Sequence, residues 1–426
     1  MGYTISEKIL ASHSGGNAVR PGEMIFAGVD RMISNEINAS MCFGEFDRLR
    51  SPALFDRERV VIVPDHYTPN KDVKSAEQCR HVREFCRRHE FPHYYEVGRM
   101  GIEHVFMHEK GFVAPGELII GVDSHSCTYG ALGTFATGVG STDMLCVMTL
   151  GEVWLRVPES VKITFKGKPG KWVGGKDLIL HVLGRLGLDG ARYRAIEFYG
   201  ETVSELSMDS RFALCNMAVE CGAKAAIVPP DEKSIAYARE RCHRDFTPVY
   251  ADPDASYATE YTWDMANTGP LVALPHSPAN VRPVSEVIAE GDISIDQSFI
   301  GSCTNGRMED LRIAAGILKG QKVHPHVRMI IIPGSQDVYL DAMREGLLEI
   351  FIEAGAAVST PTCGPCVGGH MGLLAAGERC VSTSNRNFPG RMGHQDSEVY
   401  LCGPAVAAAS AVLGRLGLPE EIEHEA

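Results

Sequence analysis

Short, unbroken runs of apolar residues alternate along this chain with longer stretches of helical spacing. Four such runs end abruptly in polar or glycine-rich turns: residues 60–63, 118–122, 298–300 and 329–332. Continuous apolar strands separated by helices are typical of parallel sheets that are covered on both faces. Ligands of such sheets bind beyond the carboxyl ends of the strands. The polar residues that follow each run are therefore the first candidates for chemistry.

Helical spacing predicts helices over residues 75–88 and 308–318, and a third helix over 141–154 that is capped at Ser141. The segment Thr4-Ile-Ser-Glu7 matches a capping box and predicts a helix near the start of the chain. The fold class predicted from these elements is α/β.

Proline-rich breaks near Pro158 and over residues 273–283 predict two domain boundaries. We therefore expect a first α/β domain over residues 1–157, a second over 158–280 and a third over 281–426. A chain of 426 residues is longer than one compact core normally serves, which agrees with several domains.

The composition and charge of the chain argue against nucleic acid and membranes as binding partners. Hydrophobic residues make up 44% and charged residues 22% of the chain, as in an ordinary globular protein. The formal net charge is −13 and no long run of Lys or Arg occurs, so we expect no nucleic-acid partner. The apolar stretch 401–414 is too short to span a bilayer, and no secretory apolar region follows Met1, so we expect no membrane association and a cytoplasmic location.

Three cysteines stand out because they lie in glycine-rich loops: Cys303, Cys363 and Cys366. The pattern Cys363-Gly-Pro-Cys366 is also found in redox-active dithiols, but that interpretation leaves Cys303 without a role. A zinc site could add His370 as a fourth ligand. Three thiolates could instead hold three corners of an iron–sulfur cubane and leave one iron open. Spacing alone does not separate zinc from iron.

Imidazoles and carboxylates are neighbours at two predicted strand ends. Asp65-His66 follows the first apolar run, and Asp123-Ser124-His125 follows the second. A carboxylate beside a histidine orients the imidazole and favours its protonated form, which suits proton transfer to a departing hydroxyl group.

Two further patterns point to binding of a small polar molecule. Asn216 and Glu220 are spaced to share one helix face, although a capped helix explains the pair equally well. Arg386 and Arg391 lie in the loop 384–391, and guanidinium groups bind carboxylates through two parallel hydrogen bonds.

Taken together, residues 122–133, 301–307, 362–366 and 385–391 resemble the motifs of the aconitase superfamily, in the same order. The resemblance covers nearly the whole chain from Ser6 onward. It implies three α/β/α domains around a central cluster cleft, without the swivelling fourth domain of full-length aconitases. It also implies one 4Fe–4S cluster with three cysteine ligands, Cys303, Cys363 and Cys366, and one open iron.

The resemblance assigns roles to further residues. It implies acid–base or other catalytic roles for Asp65, His66, His104, Asp123, His125 and Glu220. It implies contacts with substrate or cluster for Ser124, Asn216, Asn305, Asn385, Arg386 and Arg391. The sequence departs from the family pattern at Val105, where relatives commonly have Gln after the histidine.

The activity that this resemblance implies is reversible removal of water from a small hydroxy-di- or tricarboxylate. Family members of this length interconvert 2- and 3-isopropylmalate in leucine biosynthesis, with homoaconitate or 2,3-dimethylmalate as alternative substrates. They pair with a separate small subunit that supplies a serine base and a specificity loop, and we expect such a partner here. The RNA-binding branch of the superfamily needs a positive surface, which a net charge of −13 disfavours.

Overall fold

The computed structural model describes residues 2–50 and 52–422. In chain order, its strands are β1 (Met24–Gly28), β2 (Arg31–Ser34), β3 (Val60–Ile62), β4 (Leu118–Gly121), β5 (Phe135–Gly138), β6 (Glu152–Arg156), β7 (Ser160–Lys166), β8 (Ala195–Tyr199), β9 (Ala225–Ile227), β10 (Thr259–Asp264), β11 (Leu271–Ala273), β12 (Val281–Pro283), β13 (Gln297–Ile300), β14 (Arg328–Ile331), β15 (Ala357–Val358), β16 (Arg379–Ser382) and β17 (Glu398–Cys402).

The α-helices are α1 (Ile5–His13), α2 (Glu36–Phe46), α3 (Val73–Arg88), α4 (Glu103–Glu109), α5 (Ser141–Leu150), α6 (Gly175–Leu186), α7 (Glu201–Glu205), α8 (Met208–Asn216), α9 (Glu232–Arg241), α10 (Val284–Glu290), α11 (Met308–Leu318), α12 (Gln336–Arg344), α13 (Leu347–Ala354) and α14 (Pro404–Leu413). Among the described residues, no helix is both long and apolar enough to cross a membrane.

The chain forms two compact units, and neither is one continuous segment. The first unit consists of Met1–Lys166 and Ala191–Asp264, and the second of Gly167–Gly190 and Met265–Ala426. The segment that carries α6 therefore leaves the first unit after β7 and belongs to the second, before the chain returns at β8. The predicted boundaries at residues 157/158 and 280/281 stay a prediction.

The first unit contains two parallel sheets. In one, the strand order is β3-β2-β4-β5, and in the other it is β10-β7-β8-β9. Helices α2 and α3 pack together through aromatic side chains, with the rings of Phe43 and Phe85 stacked at 3.8 Å and Phe46 edge-on to Phe85 at 5.5 Å. The covered sheet explains why the segments of β3 and β4 are unbroken apolar runs in the sequence.

The helix predicted over residues 141–154 is wrong in its last four residues. Helix α5 ends at Leu150, because Gly151 adopts a left-handed conformation with φ of 75°. The chain then continues as β6, whose side chains alternate between exposed and buried, and which pairs antiparallel with β1. Trp154 therefore lies in a strand opposite Phe26.

The second unit is built on one seven-stranded sheet in the order β12-β11-β17-β16-β13-β14-β15. The strands from β17 to β15 run parallel, whereas β11 pairs antiparallel with both β12 and β17. Its core contains the alanine-rich face of α14 and the apolar face of α11. Helix α11 has the predicted bounds.

The predicted α/β class is confirmed, and the four apolar runs form the parallel strands β3, β4, β13 and β14 within one residue of the predicted start. The capping box at Thr4 is also present, since Thr4 Oγ1 accepts the Glu7 N–H at 3.3 Å and Glu7 Oε2 accepts the Thr4 N–H at 2.8 Å.

Candidate active site

The carboxyl ends of β2, β3 and β4 bring one group of acidic and imidazole side chains together in the first unit. Asn35 and Glu36 follow β2, Asp65 and His66 follow β3, and Asp123 follows β4. Because these strands are parallel neighbours, their carboxyl ends lie at the same edge of the sheet.

Asp65 and His66 form a closely held pair. The Asp65 carboxylate contacts His66 Nδ1 at 2.6 Å and accepts the backbone N–H of Glu103 at 2.7 Å through its other oxygen. The loop that carries the pair is fixed by Glu36, whose carboxylate accepts the backbone N–H groups of Asp65 and Tyr67. The geometry orients the imidazole so that its Nε2 lies 4.0 Å from Asp123 Oδ2.

Asp123 pairs with a different histidine from the one that its sequence neighbours suggest. Its Oδ1 contacts His104 Nε2 at 2.8 Å and accepts the backbone N–H of His125 at 2.9 Å, whereas His125 Nδ1 lies 3.4 Å away. Although burial acts to raise it, the hydrogen bonds from His104 and His125 hold the pKa of Asp123 well below its usual value. His104 Nδ1 in turn contacts the Tyr129 hydroxyl at 2.8 Å, so its orientation is fixed at both nitrogens.

His125 is paired with Glu220 instead. Its Nε2 lies 2.8 Å from Glu220 Oε1, and both side chains are buried. Asn216 and Glu220 do not share a helix face as predicted, because α8 ends at Asn216 and Glu220 lies in the following 3-10 turn. Asn216 Nδ2 donates to Thr128 Oγ1 at 2.8 Å, in the segment that carries His125.

Glu103 is a buried carboxyl group that the sequence argument missed, although it stands next to His104. Asn35 Nδ2 donates to its Oε1 at 3.0 Å, and its Oε2 is buried without a hydrogen-bond partner among the described residues. One ligand atom each of Glu103, His66 and Asp123 lie within 4.8 Å of one another. Burial, reinforced by the nearby charges of Asp65 and Asp123, raises the pKa of Glu103 well above its usual value. Burial therefore disfavours the charged form of this carboxyl group.

Ser124 lies at the edge of this cluster. Its hydroxyl is 3.4 Å from His125 Nδ1, and it lines a cavity of about 530 Å³ in the first unit together with Thr137, Trp154 and Lys224. The position leaves Ser124 next to both the imidazole and an open space.

In the second unit, the three cysteines follow strands of the seven-stranded sheet. Cys303 follows β13, while Cys363 precedes and Cys366 lies within a 3-10 turn that comes after β15. All three are buried, with exposures of 7%, 8% and 7%. The turn needs glycine at position 364, where φ is 56° and a Cβ atom would lie 2.5 Å from Ile332 Cδ1.

Asn385 and Ser302 connect the sulfur atoms. Asn385 Nδ2 donates to Cys303 Sγ at 3.3 Å, and its Oδ1 accepts from Cys366 Sγ at 3.5 Å. Ser302 Oγ donates to Cys366 Sγ at 3.5 Å. Ser302 adopts a φ of 74°, a backbone conformation that costs free energy for a non-glycine residue and is concentrated at functional sites.

The spacing of the sulfurs disfavours a zinc site. Tetrahedral zinc with Zn–S bonds of about 2.3 Å requires sulfur atoms roughly 4 Å apart. Among the residues that the structure describes, no set of three ligand atoms within 4.8 Å of one another contains two of these cysteines. Thiolates on separate irons of a cubane stand farther apart, so the donor set fits an iron–sulfur cluster better than zinc with His370.

The remaining predicted residues lie in the same loops of the second unit. Arg386 and Arg391 are half-buried in the loop between β16 and β17. Asn305 Nδ2 donates to Asp310 Oδ1 at 2.8 Å, while Asn305 Oδ1 is buried without a partner in the described part of the chain.

A buried lysine, Lys176, was also missed. It lies on α6 and donates to the backbone carbonyls of Thr383 and Ser384, directly before Asn385. Lysines on amphipathic helices are usually exposed. The burial of Lys176 depends on its hydrogen bond to Thr383 O, 207 residues further along the chain, and no local sequence pattern predicts it.

Comparison with known proteins identifies the family of this chain. The profile of the Aconitase family (aconitate hydratase) matches residues 7–414. The chain is 59% identical to the 3-isopropylmalate dehydratase large subunit of Moorella thermoacetica and 56% identical to that of Halothermothrix orenii, in each case over 99% of this chain and all of the relative. The crystal structure of Thermococcus kodakaraensis aconitase X in its holo-form matches with a TM-score of 0.50 at 14% identity, covering 91% of this chain and 94% of that one, which supports the fold. The predicted family is thus confirmed: the chain belongs to the aconitase family.

Proposed function

We propose that the chain is an iron–sulfur hydro-lyase that catalyses the reaction named in its relatives, the reversible dehydration of 3-isopropylmalate. The observation that carries this proposal is the high identity to 3-isopropylmalate dehydratase large subunits over nearly the full length of both chains. The reaction would interconvert 2- and 3-isopropylmalate through 2-isopropylmaleate.

Cys303, Cys363 and Cys366 would hold one 4Fe–4S cluster. Their burial and the hydrogen bonds that Asn385 and Ser302 donate to their sulfur atoms support this ligand set. When bound, such a cluster supplies a Lewis-acidic iron without a protein ligand, which can accept a substrate hydroxyl group and carboxylate.

The imidazole–carboxylate pairs of the first unit would move protons. A departing hydroxyl group must gain a proton, and a histidine held by a carboxylate can donate one at neutral pH. Three pairs have the required hydrogen bonds: Asp65 with His66, Asp123 with His104, and Glu220 with His125. The Asp123 carboxylate would orient His104 and His125 through the hydrogen bonds it accepts from the His104 ring and the His125 backbone.

Arg386 and Arg391 would bind a substrate carboxylate. Both side chains are half-buried, so a bidentate ion pair would be shielded from water and stronger than one on the surface. Ser124, Asn216, Asn305 and Asn385 are proposed to contact substrate or cluster.

A separate small subunit is the proposed partner, because the relatives are named as large subunits. We propose that the small subunit supplies the base that removes the carbon-bound proton and the loop that selects the substrate. Homoaconitate and 2,3-dimethylmalate are alternative substrates within the same chemistry. We also propose that the complex works in the cytoplasm.

The test is reconstitution of the chain with iron and sulfide, followed by addition of the small subunit and an assay of 2-isopropylmaleate hydration. We expect Cys303→Ala to lose cluster and turnover together. Cys380→Ala is the matched control, since Cys380 is buried in β16 of the same unit and burial raises the pKa of its thiol to about 12. Full turnover in Cys303→Ala would contradict the proposed ligand set. Faster hydration of homoaconitate than of 2-isopropylmaleate in the same assay would contradict the proposed substrate.

A further inference from the structure

Lys176 is a buried cation close to the cysteine loops. Its side chain is 1% exposed, and its Nζ donates to Thr383 O at 3.0 Å and to Ser384 O. Lysine is almost never fully buried unless an anion accompanies it, because desolvation of an ammonium group is costly.

The carbonyl groups that Lys176 binds belong to the backbone that carries the cysteine site. Thr383 O also accepts from Thr304 Oγ1 at 2.7 Å, and Thr383 Oγ1 accepts the Gly301 N–H at 3.0 Å. Gly301 and Thr304 flank Cys303 in the sequence. Lys176 is therefore linked to the Cys303 loop on one side and, through Ser384, to Asn385 on the other.

The side chain remains positively charged, and no carboxylate in the described part of the chain lies within ion-pair distance of it. Burial lowers the pKa of Lys176 to about 8, which is still above neutral. The neighbouring Asp177 carboxylate offsets part of this charge through space, but it accepts the backbone N–H groups of Gly174 and Leu271 and makes no ion pair with Lys176. Burial also raises the pKa of Asp177 to about 6. Within the described part of the chain, Lys176 is thus a buried cation without an ion-pair partner.

We propose that Lys176 is a positioning residue that supplies the counter-charge for an anionic iron–sulfur cluster held by Cys303, Cys363 and Cys366. Three thiolates make such a centre negative, and a fixed buried cation nearby stabilises it more than a cation in water would. The inference rests on the proposed cluster. It adds that Lys176 destabilises the cluster-free protein and stabilises the protein once the cluster is bound.

Replacing Lys176 by a neutral residue should therefore change the stability of the cluster-free and the cluster-bound chain in opposite directions. Lys176→Met removes a desolvated charge, so the cluster-free chain should melt at the same temperature as wild type or higher. The reconstituted chain should lose iron to a chelator about ten-fold faster, because the cluster has lost its counter-charge. Lys176→Gln retains an N–H donor without the charge and should behave like Lys176→Met, whereas Lys176→Arg should retain the cluster.

The measurements are thermal melting of the cluster-free and reconstituted full chain, and the rate of iron release under a chelator. Lys319→Met, an exposed lysine at the end of α11, is the control and should change neither. Wild-type retention in Lys176→Gln would show that the hydrogen bonds matter and the charge does not, which overturns the inference. Equal destabilisation of both states by Lys176→Met would also overturn it. If wild type itself binds no iron, the proposed function fails together with this inference; if wild type binds iron and Lys176→Met holds it equally well, this inference fails alone.

Discussion

Asp123→Asn should abolish most turnover while leaving the fold intact. The Asp123 carboxylate makes two charge-assisted hydrogen bonds, to His104 Nε2 at 2.8 Å and to the backbone N–H of His125 at 2.9 Å. Bonds of this kind contribute about 1.5–3 kcal/mol each. Replacing the carboxylate by a neutral amide should therefore raise the activation free energy of proton transfer by about 3–6 kcal/mol. That range corresponds to a loss of about 10²–10⁴-fold in kcat, which is the span expected for general acid catalysis.

The assay is steady-state hydration of 2-isopropylmaleate by the reconstituted chain with its small subunit, with kcat and KM determined separately. We expect kcat to fall and KM to change little, because Asp123 acts on imidazoles and does not bind the substrate carboxylates. Asp47→Asn is the matched control, since it breaks an exposed ion pair with Arg88 in the same unit and should cost less than about 1 kcal/mol of stability. A kcat for Asp123→Asn within about three-fold of wild type, at full cluster occupancy, would refute the assigned role of this carboxylate.

Two further predictions concern stability. Because the pKa of Glu103 is raised above its unfolded value, ionisation penalises the folded state as pH rises past that unfolded value. Glu103→Gln should therefore raise the melting temperature at pH 7–8 but have little effect near pH 4, and a larger gain at the acid end would contradict the raised pKa. Phe85 is 1% exposed and its ring stacks on Phe43, so Phe85→Ala should lower the free energy of unfolding by about 3–5 kcal/mol in urea titrations. A loss below about 1 kcal/mol would show that the aromatic cluster can collapse around the gap.

The sequence predicts the strands of this fold well because covered parallel strands must be apolar without interruption. The runs at 60–63 and 298–300 therefore led directly to β3 and β13, and with them to Asp65 and Cys303 at their ends. The predicted extension of α5 to Trp154 is wrong because the helix ends before Gly151, which adopts a left-handed conformation. The alternation that begins there was visible in the sequence and indicated a strand.

Partners within the site were harder to predict than its members. Asp123 and His125 are sequence neighbours, yet His104 takes the carboxylate and Glu220, 95 residues away, takes the imidazole. Such pairings are set by how strands and helices are arranged in space, and no local pattern encodes them. Glu103 could have been noticed as a charged residue within an apolar helix start, whereas Lys176 could not, because nothing near it in the sequence predicts its burial.

The discontinuous second unit has a consequence for how the protein is synthesised. Helix α6 leaves the ribosome long before Thr383, which follows β16 and whose carbonyl Lys176 binds. The two residues are 207 positions apart in the chain. At about 5–20 residues per second, that interval lasts roughly 10–40 s. Strands β11 and β12, against which α6 packs, are also made only about 90–100 residues after it, or roughly 5–20 s later. Until then the nascent chain carries an exposed amphipathic helix between two strands of a unit that is already folding. Chaperone binding during translation should therefore concentrate on residues 167–190, and slowing translation beyond Gly190 should increase aggregation of this protein.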